Sequence, residues 1–97
     1  FMFSGASTFN GDISSWDVSS VANMKYMFHN ATSFNGDIGA WDVSSVTNMD
    51  RMFWNASVFN KSLSTWCVTN ITSEPTAFSL NSPLTQANKP VWGTCPP

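Results

Sequence analysis

Trp16-Asp17-Val18-Ser19-Ser20-Val21-Ala22-Asn23-Met24-Lys25-Tyr26-Met27-Phe28-His29-Asn30-Ala31, followed by Phe34, is the stretch that decides how this chain is read. It returns 25 residues later, from Trp41 to Phe59, with almost every apolar position kept. A third copy supplies Met52, Phe53, Ala56, Phe59, Leu63, Trp66, Val68 and Ile71, then drifts. Phe78 and Leu84 keep a fading fourth phase, and Trp92 falls one residue late. A repeat of this length describes a shape before a chemistry, because each unit must bury a face against the next.

Two periods coexist within a unit. Val21, Met24, Phe28 and Ala31 are spaced 3, 4 and 3, which predicts one face of a short helix. Ser19 and Ser20 stand just ahead as its N-cap candidates. Trp16 and Val18 alternate with Asp17, which predicts a very short strand. Asn10-Gly11-Asp12 and Asn35-Gly36-Asp37 are turn signals. The expected fold is α/β: a leucine-rich-repeat-like solenoid with short parallel strands on one face and short helices on the other. It has three rungs, approximately 2–26, 27–51 and 52–74, in a repeat region 1–74, and a Pro-rich C-terminal cap 75–97. Trp16, Trp41 and Trp66 are expected to form one column, Phe9, Phe34, Phe59 and Leu84 another, and Asn10, Asn35 and Asn60 an amide ladder.

Composition narrows the function. The 97 residues make one domain, rich in Phe, Trp and Met. A net charge of −2, with Lys25, Arg51, Lys61 and Lys89 scattered, disfavours nucleic acid. No apolar run approaches the roughly 20 residues of a membrane span, so no membrane insertion is expected. The chain opens in mid-repeat at Met2-Phe3, which implies a piece of a longer repeat protein with further repeats N-terminal to it. Cys67 and Cys95, with no Cys-x-x-Cys and no nearby His, read as a disulfide that staples the cap and points to an oxidising, extracellular compartment. Sequons at Asn30, Asn55, Asn60 and Asn70 agree weakly with export and are the candidate glycosylation sites.

The motif Met-Phe-x-x-Ala-x-x-Phe-Asn-x-x-Ile-x-x-Trp-Asp-Val-Ser-Ser-Val-x-Asn-Met resembles the repeat of the BspA-like bacterial surface proteins. The tail Val91-Trp92-Gly93-Thr94-Cys95-Pro96 is similar to the terminal segment of such proteins. The resemblance implies secretion, a solenoid, and adhesion at a cell surface. It brings no catalytic residue and no cofactor.

Candidate sites follow from the repeat. Asp17 and Asp42, flanked by Ser15, Ser19, Ser44 and Thr65, form a candidate binding face for protein or glycan. A solvated polar face is the commoner meaning of such residues. Trp54 breaks the pattern at an outward position and is the candidate aromatic contact. Asp12 and Asp37 could share a calcium ion, but an Asp in such a turn more often caps its own turn, and Ser62 breaks the column. No metal site is therefore assigned. His29 replaces Ser4 and Trp54 of the other units and has no recurring nucleophile or acid beside it, so no enzyme is expected. Met2, Phe3 and Phe9 mark an uncovered N-terminal end. Two functions compete on these grounds: an extracellular interaction or adhesion module without catalytic activity, and a structural protein that self-assembles as a homo-oligomer through that end.

Overall fold

Alternate backbone N–H groups leave each repeat for the next. In the computed structural model of the chain, which describes residues 3–96, the amides of Met24, Tyr26, Phe28 and Asn30 donate to the carbonyls of Asn48, Asp50, Met52 and Trp54 at 2.8, 3.1, 2.8 and 2.9 Å. The intervening amides of Met27, His29 and Ala31 turn back onto the carbonyls of Met24, Tyr26 and Phe28. Phe3 and Gly5 repeat the outward bonds one unit earlier, to Met27 and His29. Arg51, Phe53 and Asn55 repeat them one unit later, to Thr76, Phe78 and Leu80. The backbone is thus satisfied partly within each turn and partly by its neighbour, which buried main chain requires.

This hydrogen bonding overturns the expected α/β solenoid. Among the described residues the regular structure is a single 3-10 turn, Gln86–Asn88, and one isolated parallel bridge between Asn23 and Asn48. The helix expected over Val21, Met24, Phe28 and Ala31 does not form. Tyr26 (φ 62°) and Asn30 (φ 60°) both turn left-handed, and a right-handed helix cannot pass through them. Met24, Phe28 and Ala31 are buried all the same, whereas Val21 is 36% exposed. The strand expected at Trp16–Val18 is absent too: the Trp16 amide turns back to the Ile13 carbonyl, Val18 accepts from Val21, and no backbone bond among the described residues joins 16–18 to 41–43. Ser19 and Ser20 cap no helix.

The units are held together by ring stacks. Phe28 lies flat on Phe34 within its unit at 4.3 Å and on Phe53 of the next at 5.4 Å. Phe34 continues to Phe59 at 5.7 Å, and Phe53 lies on Phe59 at 4.3 Å. Phe3 and Phe9 extend both columns in the other direction. Each buried ring is worth about 1.5–3 kcal/mol of hydrophobic stabilisation, and ring pairs add about 0.5–1.5. Trp41 and Trp66 are buried in the same core, and their indole N–H groups donate to the carbonyls of Ile13 and Ile38, both at 3.0 Å. Trp16, first of that column, is 43% exposed. The radius of gyration of 12.0 Å is close to the roughly 13 Å of a folded 100-residue domain.

Two side-chain ladders lock the register. The expected Asn10, Asn35 and Asn60 column is present in a different form. Each amide oxygen accepts the next unit's backbone N–H, from Asn35, Asn60 and Thr85 at 3.0, 3.1 and 3.2 Å. The amide-to-amide ladder runs instead through Asn30, Asn55 and Asn81, with Nδ2-to-Oδ1 bonds of 2.9 Å at both steps. All three of these asparagines are left-handed.

Trp41→Ala is expected to cost about 3–5 kcal/mol in denaturant unfolding, and Trp16→Ala far less, because only the first leaves a cavity. At Asn55, Ala should cost about 2 kcal/mol and Gly roughly half that, since Gly keeps the left-handed turn while losing the amide bonds. Equal costs for Ala and Gly would show that backbone conformation plays no part there.

Candidate functional site

The polar residues of the expected binding face are spent first on their own turns. Asp17 Oδ1 accepts the Ser19 amide at 3.0 Å and its hydroxyl at 2.6 Å. Asp42 Oδ1 accepts the Ser44 amide at 3.0 Å and its hydroxyl at 2.5 Å. Asp12 binds Ser14 in the same way, Asp37 accepts the Gly39 amide at 3.3 Å, and Ser62 holds Ser64. Asn23 and Asn48 accept the amides of Lys25 and Asp50. Each is a side chain closing a turn two residues on, the habit of Asp, Asn and Ser. Ser19 and Ser44 therefore serve an aspartate rather than a helix.

Asp17 and Asp42 are exposed, and the second oxygen of each carboxylate makes no further bond within the described residues. The serine hydroxyls, and next the serine amides, hold Asp12, Asp17 and Asp42 below the ordinary carboxylate value. A weaker opposing push on Asp42 comes from the charge of Asp17. Ser15 is exposed, and Thr65 donates its hydroxyl to the Gly39 carbonyl at 3.0 Å. Asp12 and Asp37 each use one oxygen on their own turn, and the described residues hold no group of three or more His, Cys, Asp or Glu suited to a metal ion.

Trp54 is not the free outward ring that its break in the pattern suggests. It is half-buried and stacks on His29 at 4.8 Å. His29 in turn accepts or donates a hydrogen bond at Nδ1 with the Ser4 hydroxyl at 3.2 Å. Ser4, His29 and Trp54 occupy one position in three successive units, so the stack brings together what the sequence shows as mere variation. Among the described residues no carboxylate is bonded to the His29 ring.

The sequons differ in surroundings. Asn30 and Asn55 belong to the internal amide ladder, and the Asn70 amide donates to the Ser44 carbonyl at 3.1 Å. Asn60 is exposed, while its amide oxygen accepts from Thr85 and Asn88. Cys67 and Cys95 form a disulfide across 28 residues and tie the C-terminal segment back to the third unit. At the other end, Trp16, Val18, Val21, Met24 and Met27 line an apolar groove of about 250 Å³. Phe3 and Phe9 pack against the core beside it, and Met2 lies outside the described residues.

Residues 1–92 match the family described as Mycoplasma protein of unknown function, DUF285. The chain belongs to this family. The match replaces the resemblance to BspA-like surface proteins: the repeat motif that suggested them is accounted for by DUF285. No curated protein and no solved structure matches the chain. The DUF285 match continues past Pro75 to Trp92, through most of the segment expected to be a cap. No helix among the described residues is long and apolar enough to cross a membrane.

The lowered aspartates set an acid limit. A carboxylate held below its unfolded value contributes stability that is complete above the unfolded value, about 3.9, and is lost as pH falls through the folded one. Stability should be level from neutrality to about pH 5 and fall progressively below about pH 4. Replacing Asp12, Asp17 and Asp42 together by Asn should flatten that fall in acid unfolding followed by tryptophan fluorescence.

Proposed function

We propose that this DUF285 chain is a non-catalytic interaction module working outside the cell or at its surface. The observation that carries the reading is the pair of Asp–Ser turns at Asp17–Ser19 and Asp42–Ser44. Each offers a preset carboxylate at the same place in successive units. Groups fixed in this way lose little conformational freedom on binding, so even weak polar contacts are used efficiently. Partners of this class are a protein or a glycan. The Cys67–Cys95 disulfide supports an oxidising compartment.

Self-association is the second reading, and a different observation favours it. Trp41 and Trp66 each send an indole N–H to a carbonyl of the preceding unit, while Trp16 lies half-exposed on an apolar groove. Exposed apolar surface of this kind marks a contact site. A second copy meeting that groove would make a homo-oligomer.

Light scattering on the oxidised chain, beside adhesion of the chain to immobilised glycans and extracellular proteins, separates the two. The first reading expects a monomer whose adhesion is lost in the Asp17→Ala, Asp42→Ala double variant with folding kept. Retained adhesion would remove those residues from the site. A dimer or larger species that becomes monomeric in Trp16→Ser would establish the second reading.

A further inference from the structure

The regular stack opens just beyond Ile71. Val46 and Ile71 are equivalent buried residues 25 apart. Arg51 and Ala77 are equivalent left-handed residues 26 apart. One extra residue therefore lies between Ile71 and Ala77, and residues 72–76 face only residues 47–50. An extra residue on one of two paired segments disrupts their pairing locally. One unit earlier, Thr47 donates its amide to the Ala22 carbonyl, and Met24 donates to Asn48, both at 2.8 Å. The corresponding bonds, Thr72 to Thr47 and Met49 to the segment opposite, are absent among the described residues. Pro75 adds to the gap, having no N–H to give.

The opening is a shallow, solvent-open polar groove of about 370 Å³. Its walls carry Thr47, Asp50, Thr72, Ser73, Glu74 and Thr76. The Thr47 carbonyl and the Thr72 amide, which belong to the two facing segments, have no backbone partner among the described residues. Asp50 spends one oxygen on the Thr76 amide at 3.1 Å, and Glu74 spends one on Lys89 at 2.9 Å, which leaves each a second. The cleft is thus lined by both carboxylates and hydroxyl-bearing residues. Two cations are already engaged beside the groove: Lys89 pairs with Glu74 of its wall, and Arg51, next to Asp50, lies over the Tyr26 ring at 5.7 Å. An anionic ligand would meet two carboxylates in the lining, and no Lys or Arg is among the lining residues. A ligand bearing several hydroxyls, each able to donate and accept, matches the set.

We propose that the groove between residues 47–50 and 72–76 binds a neutral saccharide of one or two rings. The site is separate from the Asp17–Asp42 face and rests on the interaction-module reading, for which it names a ligand class.

The test is amide-resolved NMR titration of the oxidised chain with glucose, galactose, mannose, N-acetylglucosamine and their neutral disaccharides. Shifts centred on Thr47, Asp50, Thr72, Ser73 and Thr76, saturating near the millimolar affinity of a weak small-ligand site, are expected for at least one of them. Ser73→Tyr, which fills the groove, and Asp50→Asn, which keeps an acceptor for the Thr76 amide, should each weaken binding by about tenfold or more with the rest of the spectrum unchanged. Absence of shifts at these amides with every sugar overturns the proposal. So do shifts produced by calcium chloride alone and reversed by a chelator, which would make the groove a cation site. Sugar shifts confined to Asp17 and Asp42 overturn the groove while sustaining the module. Full adhesion by Ser73→Tyr with no sugar bound to either chain would do the same.

Discussion

Handing alternate amides to the next repeat is the constraint on which the rest depends. A turn such as 24–31 closes half its N–H groups on itself and sends the other half outward. Alone it would leave those outward groups without protein partners. Stacked on a neighbour, it satisfies them and at the same time brings Phe28 over Phe53 and Phe34 over Phe59. Polar satisfaction and apolar burial are therefore met by one translation of the chain. That is why Phe, Trp and Met return at a fixed step, and why the core needs no helix or sheet to organise it.

The same constraint explains the asparagines. A chain that alternates inward and outward bonds must reverse often, and it does so at two left-handed residues in each turn. Asn accepts that conformation at lower cost than other side chains, and its amide can then bond its own copy in the next unit. Tyr26 and Arg51 take the second left-handed position without that compensation. They answer one another through the cation–ring contact.

Departures from the period are where the chain becomes particular. The extra residue before Ala77 puts Phe78 in the place of Met52, where it meets Phe53 edge-on at 81° while the earlier rings lie flat. A later slip pairs Val68 with Thr94 and puts Trp92 where Trp66 would have its copy. Trp92 packs edge-on to Phe78, and its buried indole N–H has no acceptor among the described residues, unlike those of Trp41 and Trp66. Identical units can offer only identical surfaces, so a singular feature such as the groove beside Asp50 and Glu74 arises at a break in register.

Read alone, the sequence settled the Cys67–Cys95 pairing, the inward places of Phe34 and Phe59, and the turn-closing roles of Asp12 and Asp37, because each depends on spacing or on local side-chain chemistry. It misled on secondary structure. The 3-4-3 spacing of Val21, Met24, Phe28 and Ala31 marks which residues face inward, and a helix and a stack of tight turns can share that spacing. What separates them is the destination of the backbone amides, and that is fixed only when a neighbour stands within reach. The Asn30–Asn55 ladder and the Ser4–His29–Trp54 column had a signal in their common phase, but equal phase does not say which groups touch. Tertiary structure alone decided that Trp54 is stacked rather than free, that Trp16 is half-exposed, and that one added residue opens the wall at Thr72. Each of these depends on contacts between units, whose geometry no single unit contains.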